Sequence, residues 1–212
     1  MERIIIKTEG YSVVETDNCS LEEIVEFVVR ENYLHHQKSI PVNLSEEIEE
    51  LIKEEQRLLS TSRFFVARDN KGRLIGCIRL HRWNHTSDLP ISKFGIRVEE
   101  VFPKEKYPNI WHVGRFAIER NGYQVELSLF KVLILCAIEP IVNTSNSIML
   151  AEFDIKLLSL LDKINISMKQ LGIPQLHIGS ETIPVYSNSL SLAHFHTLWR
   201  YDLDLLNKNL PN

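Results

Sequence analysis

Cysteine is scarce in this chain, with three residues, Cys19, Cys77 and Cys136, among 212. Their odd number and wide spacing exclude a disulfide framework and leave no zinc-type pair. Cys77 and Cys136 lie inside apolar runs, where a reduced thiol packs as a small hydrophobe, so a reducing compartment is expected. No apolar stretch approaches the roughly 20 residues of a membrane-spanning helix. The Ile-Ile-Ile run after Arg3 is too short for the core of a signal peptide, so a cytoplasmic protein is expected. Low-complexity tracts and internal repeats are missing, which excludes a solenoid and a largely disordered chain. His35-His36, His81, His85, His194 and His196 stand beside no carboxylates or cysteines at a ligand spacing, so no metal is expected.

What is present is ordinary globular material: 44% hydrophobic and 25% charged residues, with 8 glycines and 8 prolines. Such a length suits one domain over 1–212 that buries its core without staples. The net charge of -4 argues against a nucleic-acid partner. Its distribution is uneven. Up to Ser62 there are 14 acidic residues against 6 basic ones, whereas Lys71 to Lys131 holds 11 basic against 6 acidic. A basic middle third either faces water or, gathered around a cleft, suits an acidic partner or the phosphates of a pantetheine carrier.

Periodicity gives the element order. Ile4–Lys7 and Tyr11–Glu15 read as a hairpin around Gly10. Ser20 and Glu23 form a capping-box signature for a helix from Leu21 to about Leu34, and a second helix starts at Ser45; both are expected to be acidic on their outer faces. Arg63–Arg68 and Arg73–Leu80 form a clear hairpin. His81 to Asn109 is long and weakly periodic, with a short strand or helical turn in Phe94–Val101. The Val125–Glu139 segment is a buried helix that Pro140 should end. A strand at Ser147–Glu152 follows, then a helix capped by Asp154 that should run to Gly172, strands around Gln175–Ile178 and Thr182–Tyr186, and a final amphipathic segment from Leu190. The sum is an α/β fold, a central mixed twisted sheet flanked by helices on both faces, with a parallel crossover from the Ile110 strand to the Ser147 strand.

The Ile110–Ile118 stretch is the anomaly. It has the apolar character of a central strand but carries His112, Gly114 and Arg115, whose burial or conformational cost needs an offset. With regular pleating His112 and Arg115 would point to opposite faces; a bulge around Val113 or Gly114 would bring them to one side.

Gly76-Cys77-Ile78-Arg79-Leu80, Val101-Phe102-Pro103 and Trp111-His112-Val113-Gly114-Arg115-Phe116-Ala117 resemble, in order and spacing, blocks of the acyl-homoserine-lactone (autoinducer) synthases, a branch of the GNAT-type acyltransferase fold. The resemblance implies a GNAT-type fold and transfer of an acyl group from an acyl carrier protein or acyl-CoA thioester to the amine of a small acceptor. Where the family has a glutamate this chain has His112, which would take the amine proton directly or through water. Gly114 would free an amide to polarise the thioester carbonyl, Arg115 would bind the acceptor's carboxylate or a phosphate, and Tyr186 would protonate the departing thiolate. Arg115 would otherwise sit in an ion pair with a residue such as Glu152 or Glu126. Arg30 is what remains of the family's S-adenosylmethionine-gripping pattern. Arg30, Arg79 and Glu152 are substrate-binding candidates, and Trp111, Phe116 and Phe130 either wall an acyl channel or pack in the core. The GNAT phosphate loop survives at most as Arg120 and Gly122, which favours a carrier protein or long-chain acyl-CoA as donor. Alternatives are an acetyl-CoA-dependent N-acetyltransferase and an inactive GNAT-like module that binds an acyl ligand or carrier.

Overall fold

Hydrophobic alternation along the first half of the chain produces a run of antiparallel strands. The computed structural model describes residues 3–16, 20–36, 44–119 and 123–208. Strands β1 (Arg3–Lys7), β2 (Tyr11–Thr16), β3 (Ser62–Asp69), β4 (Leu74–Arg82) and β5 (Asn109–Ile118) pair in sequence order. Helices α1 (Leu21–His36) and α2 (Leu44–Leu58) are inserted between β2 and β3, and the short α3 (Val98–Val101) precedes β5. Then α4 (Tyr123–Val142) leads to β6 (Ser147–Asp154), which pairs parallel with β5. The chain closes with α5 (Ile155–Lys163), β7 (Lys169–Gln170), β8 (Gln175–His177), β9 (Ser180–Asn188) and α6 (Ser189–Lys208). The sheet order is β1-β2-β3-β4-β5-β6-β9-β7, with β8 also on β9. No helix among the described residues is long and apolar enough to cross a membrane.

Strand alternation sorts the residues into two layers. Leu80, Trp111, Val113, Met149, Ala151 and Val185 join one core with α4 residues such as Leu133 and Ile138 and with Leu192 and Phe195 of α6. On the other face Phe64, Val66 and Cys77 pack under Leu21, Ile24, Phe27 and Val28 of α1. Ile110, Ile148 and Leu150 meet Trp83, Leu89, Ile91 and Phe102 from the segment between β4 and β5. That segment contains a 3-10 turn at Pro90–Phe94 as well as α3.

Three expectations need correction. Pro140 lies inside α4 and does not end it. A proline this near the C-terminus removes one backbone bond, and the Thr144 hydroxyl donates to the Pro140 carbonyl at 2.7 Å. The helix after Asp154 stops at Lys163, well short of Gly172. Asn165 adopts φ 63°, and the amides of Asn165 and Ile166 bond to the carbonyls of Asp162 and Leu161. This is a Schellman closure, sealed by the buried Leu161 and Ile166 side chains. Finally, the acidic residues of α1 and α2 are not all outside: Glu31, Glu54 and Glu55 are buried.

Candidate active site

The parallel ladder between β5 and β6 runs from Asn109↔Ser147 to Val113↔Ala151 and goes no further. Beyond it the two strands part, because β5 changes direction. Arg79 pairs with Gly114 and Cys77 with Ala117, so Arg115 and Phe116 together oppose the single residue Ile78, a β-bulge. Arg115 has φ 51°, a left-handed conformation that costs a non-glycine residue about 1–3 kcal/mol. Its side chain supplies the offset: Nε donates to Glu55 Oε1 at 2.7 Å and Nη2 to Glu54 Oε1 at 2.5 Å. The bulge thus lies one to two residues after the expected place, and it puts His112 and Arg115 on the wall of one pocket.

Buried charges form a continuous chain there. Arg79, 1% exposed, donates from Nη1 to both oxygens of Glu55 at 2.9 and 3.1 Å and from Nη2 to His112 Nδ1 at 2.5 Å. His112 Nε2 lies 2.8 and 3.0 Å from the two oxygens of Glu152. Glu54 also pairs with Lys93, which the segment after β4 brings in. Burial alone would raise the carboxyl of Glu54, but Arg115 and Lys93 outweigh it and hold the group at about 2. Glu55 is also lowered, burial being outweighed by Arg79 and Arg115, and burial of Arg115 is outweighed in turn by Glu55 and Glu54.

The donor inventory fixes the His112 tautomer. A guanidinium has N–H groups only, so Nδ1 must accept from Arg79, and the ring proton sits on Nε2 and is donated to Glu152. A ring in this state has no free lone pair for an incoming proton. Gly114 is required beside it, since a Cβ at this position would lie 2.8 Å from Arg79 Nη2 and 3.4 Å from His112 Cε1. Behind this row, His81 is 1% exposed. Burial, with Arg79 and His112 nearby, depresses its imidazole to about 4.

Two cavities flank the opening. The smaller, about 90 Å³, is walled by Arg79, His112, Gly114, Arg115, Glu54 and Glu152 on one side and by His177, Ser180 and Thr182 on the other. The larger, about 430 Å³, lies between the ends of α1 and β5 and the start of α5, with Phe116, Phe130, Leu157 and Leu160 among its apolar walls. Asn32, Phe116, Asp154 and Leu157 border both. The tip of the β8–β9 hairpin closes over the small one. Its two turn residues, Ile178 (φ 44°) and Gly179 (φ 71°), form the primed turn that suits a two-residue hairpin. Asn32 Nδ2 donates to the Ile178 carbonyl at 2.6 Å.

The expected site residues therefore divide. His112, Gly114, Arg115, Arg79, Phe116 and Glu152 converge on the small pocket, and Phe116 meets Phe130 edge-on at 5.4 Å. Arg115 has Glu54 and Glu55 as partners and not Glu152; the Glu126 side chain lies outside the described residues. Of the two places open to Trp111, channel wall or core, it takes the core: it is 5% exposed on the sheet face opposite His112, among the α4 contacts. Arg30 lies on the exposed side of α1, 3.6 Å from Glu31, because one residue along a helix turns a side chain by about 100°. Tyr186 shares the His112 face but packs against the Phe102 ring at 5.1 Å, away from both cavity walls. Arg120 and Gly122 lie outside the described residues. Glu54, Glu55 and Asn32 also belong here; in the sequence the density of glutamates on α2 is the one signal for the first two, and nothing local marks Asn32.

No protein-family model and no curated protein matches the sequence. Among solved structures, FeeM, an N-acyl amino acid synthase from uncultured soil microbes, is 14% identical with a TM-score of 0.54 over 95% of this chain and 96% of its own. TofI, solved in a ternary complex with an inhibitor and MTA, is 14% identical with a TM-score of 0.52, covering 86% and 95%. A GNAT-family acetyltransferase from Staphylococcus aureus Mu50 is 15% identical with a TM-score of 0.51, covering 84% and 99%. The nine-stranded mixed sheet with its β5–β6 opening and these likenesses together identify the fold of this chain as the GNAT fold.

Proposed function

We propose that the protein is an N-acyltransferase that moves an acyl group, of long chain, from the pantetheine thioester of a carrier protein or CoA to the amine of a small, amino-acid-like acceptor. The observation that carries this reading is the meeting of two unequal cavities at the sheet opening, across Asn32, Phe116, Asp154 and Leu157. The larger has aromatic and aliphatic walls suited to a thioester arm and its chain; the smaller has polar walls suited to an amine. Transfer needs the two reactants held within reach, and a shared border supplies that proximity. Beyond Val113, β5 has no ladder to β6, and a backbone N–H on that edge of the bulge would polarise the thioester carbonyl. Arg115, tied to Glu54 and Glu55, organises this wall. Likeness to an N-acyl amino acid synthase and an acetyltransferase agrees with the reaction class.

The test is product analysis. Purified protein is incubated with a mixture of amines and acyl thioesters of N-acetylcysteamine, CoA or carrier protein, and mass spectrometry looks for amides. A new N-acylated product is expected, with long acyl chains preferred over acetyl. If thioesters bind and no amide forms with any donor, the chain is an acyl-binding module instead.

A further inference from the structure

We propose that Glu152 is the catalytic base of this site and that His112 and Arg79 are positioning residues that aim its carboxylate. The proposal rests on the acyl-transfer reading above. Two glutamates, Glu54 and Glu152, line the small pocket and a third, Glu55, is buried behind its wall; two of the three are spent on cations, Glu54 on Arg115 and Lys93, Glu55 on Arg79 and Arg115. Among the described residues Glu152 forms no ion pair with an arginine or lysine; it accepts the Nε2–H of His112, and across the pocket it faces His177, whose imidazole burial pushes below its ordinary value in spite of Glu152. The Glu152 side chain is 11% exposed and lines the pocket. A carboxylate hydrogen-bonded by a neutral donor keeps lone pairs for an incoming ammonium, whereas one clamped by guanidinium groups is held ionised.

Arg79 makes the arrangement one-sided. A proton on Nδ1 would set an N–H against the guanidinium 2.5 Å away, and turning the ring over would set the Cδ2–H there and lose the bond to Arg79, so Nε2 stays the donor throughout turnover. The acceptor ammonium gives its first proton to Glu152. The freed lone pair then forms the C–N bond as the C–S bond breaks, and the thiolate takes the proton that the new amide nitrogen sheds. The proton on Glu152 leaves to solvent, so amide, thiol and one proton balance ammonium and thioester. His112 keeps its own proton at every step.

Two measurements decide this. In the full chain labelled with 15N-histidine, long-range NMR correlations should show His112 with a bare Nδ1 and a protonated Nε2; protonation on Nδ1 overturns the proposal whatever the activity. With an acyl-N-acetylcysteamine thioester and the amine acylated fastest, Glu152→Gln should lower kcat by roughly 10²–10⁴-fold and remove the acidic limb of its pH profile, with the melting temperature retained. His112→Leu should lose a comparable factor. His112→Gln, which has an N–H to donate to Glu152 but no basic nitrogen, should recover at least about tenfold of it. Glutamine as inactive as leucine in a folded protein, or full activity in Glu152→Gln, overturns the proposal and leaves acyl transfer standing. A wild-type chain that acylates no amine overturns the acyl-transfer reading, and the base assignment with it.

Discussion

Glu54 and Glu55 are neighbours on α2, and both are buried, a placement tolerable only because Arg79, Lys93 and Arg115 arrive from elsewhere in the chain. Removing one member of such a buried group strands its partners. Glu55→Ala should therefore cost about 3–5 kcal/mol, read from the shift of the urea midpoint. Acid should act on two separable groups. The imidazole of His81 is depressed from 6.5 to about 4, so the stability it contributes is complete above pH 6.5 and is lost as pH falls towards 4. The Glu54 contribution is complete above its unfolded value of 4.5 and is lost on approach to about 2. Urea titrations from pH 7 to 2.5 should show His81→Gln flattening the first loss and Glu54→Gln the second; identical profiles for all three proteins would contradict both assignments. None of this pairing was legible in sequence, where α2 reads as an acidic surface helix.

At the scale of elements, the bulge in β5 decides what the strand can do. Bringing His112 and Arg115 together calls for a bulge, and the sequence offers Val113 or Gly114 as its place. The left-handed residue is instead Arg115, held by its glutamates, and Gly114 serves the close approach of Arg79. Gly114→Ala should cost about 1–3 kcal/mol, because the guanidinium it meets is buried and bonded on two sides and has nowhere to move. Calorimetry measures the loss, and the His112 resonances should shift with it. Asn165 offers a matching test for α5. Asn165→Gly should leave stability nearly unchanged, whereas Asn165→Val should lose about 1–2 kcal/mol, since a β-branched residue resists a positive φ. That asparagine was a readable stop signal; the apolar spacing of Ile164, Met168 and Leu171 outweighed it.

The whole molecule works as a sheet that splits. Cavities on either side of the split meet at Leu157 and Phe116, so Leu157→Trp should raise KM for the thioester several-fold with the melting temperature unchanged, as separate kinetic and calorimetric assays will show. Sequence by itself determined the hairpins, the β5–α4–β6 crossover and the layered α/β fold, because apolar periodicity and turn chemistry act over a few residues. It also marked His112, Gly114 and Arg115 as out of place in a core strand. Only the tertiary structure decided what satisfies them. The partners stand far along the chain, 24 residues between Glu55 and Arg79, 60 between Glu55 and Arg115, 40 between His112 and Glu152. No local pattern encodes a hydrogen bond across such separations; folding α2 over the opening of the sheet does.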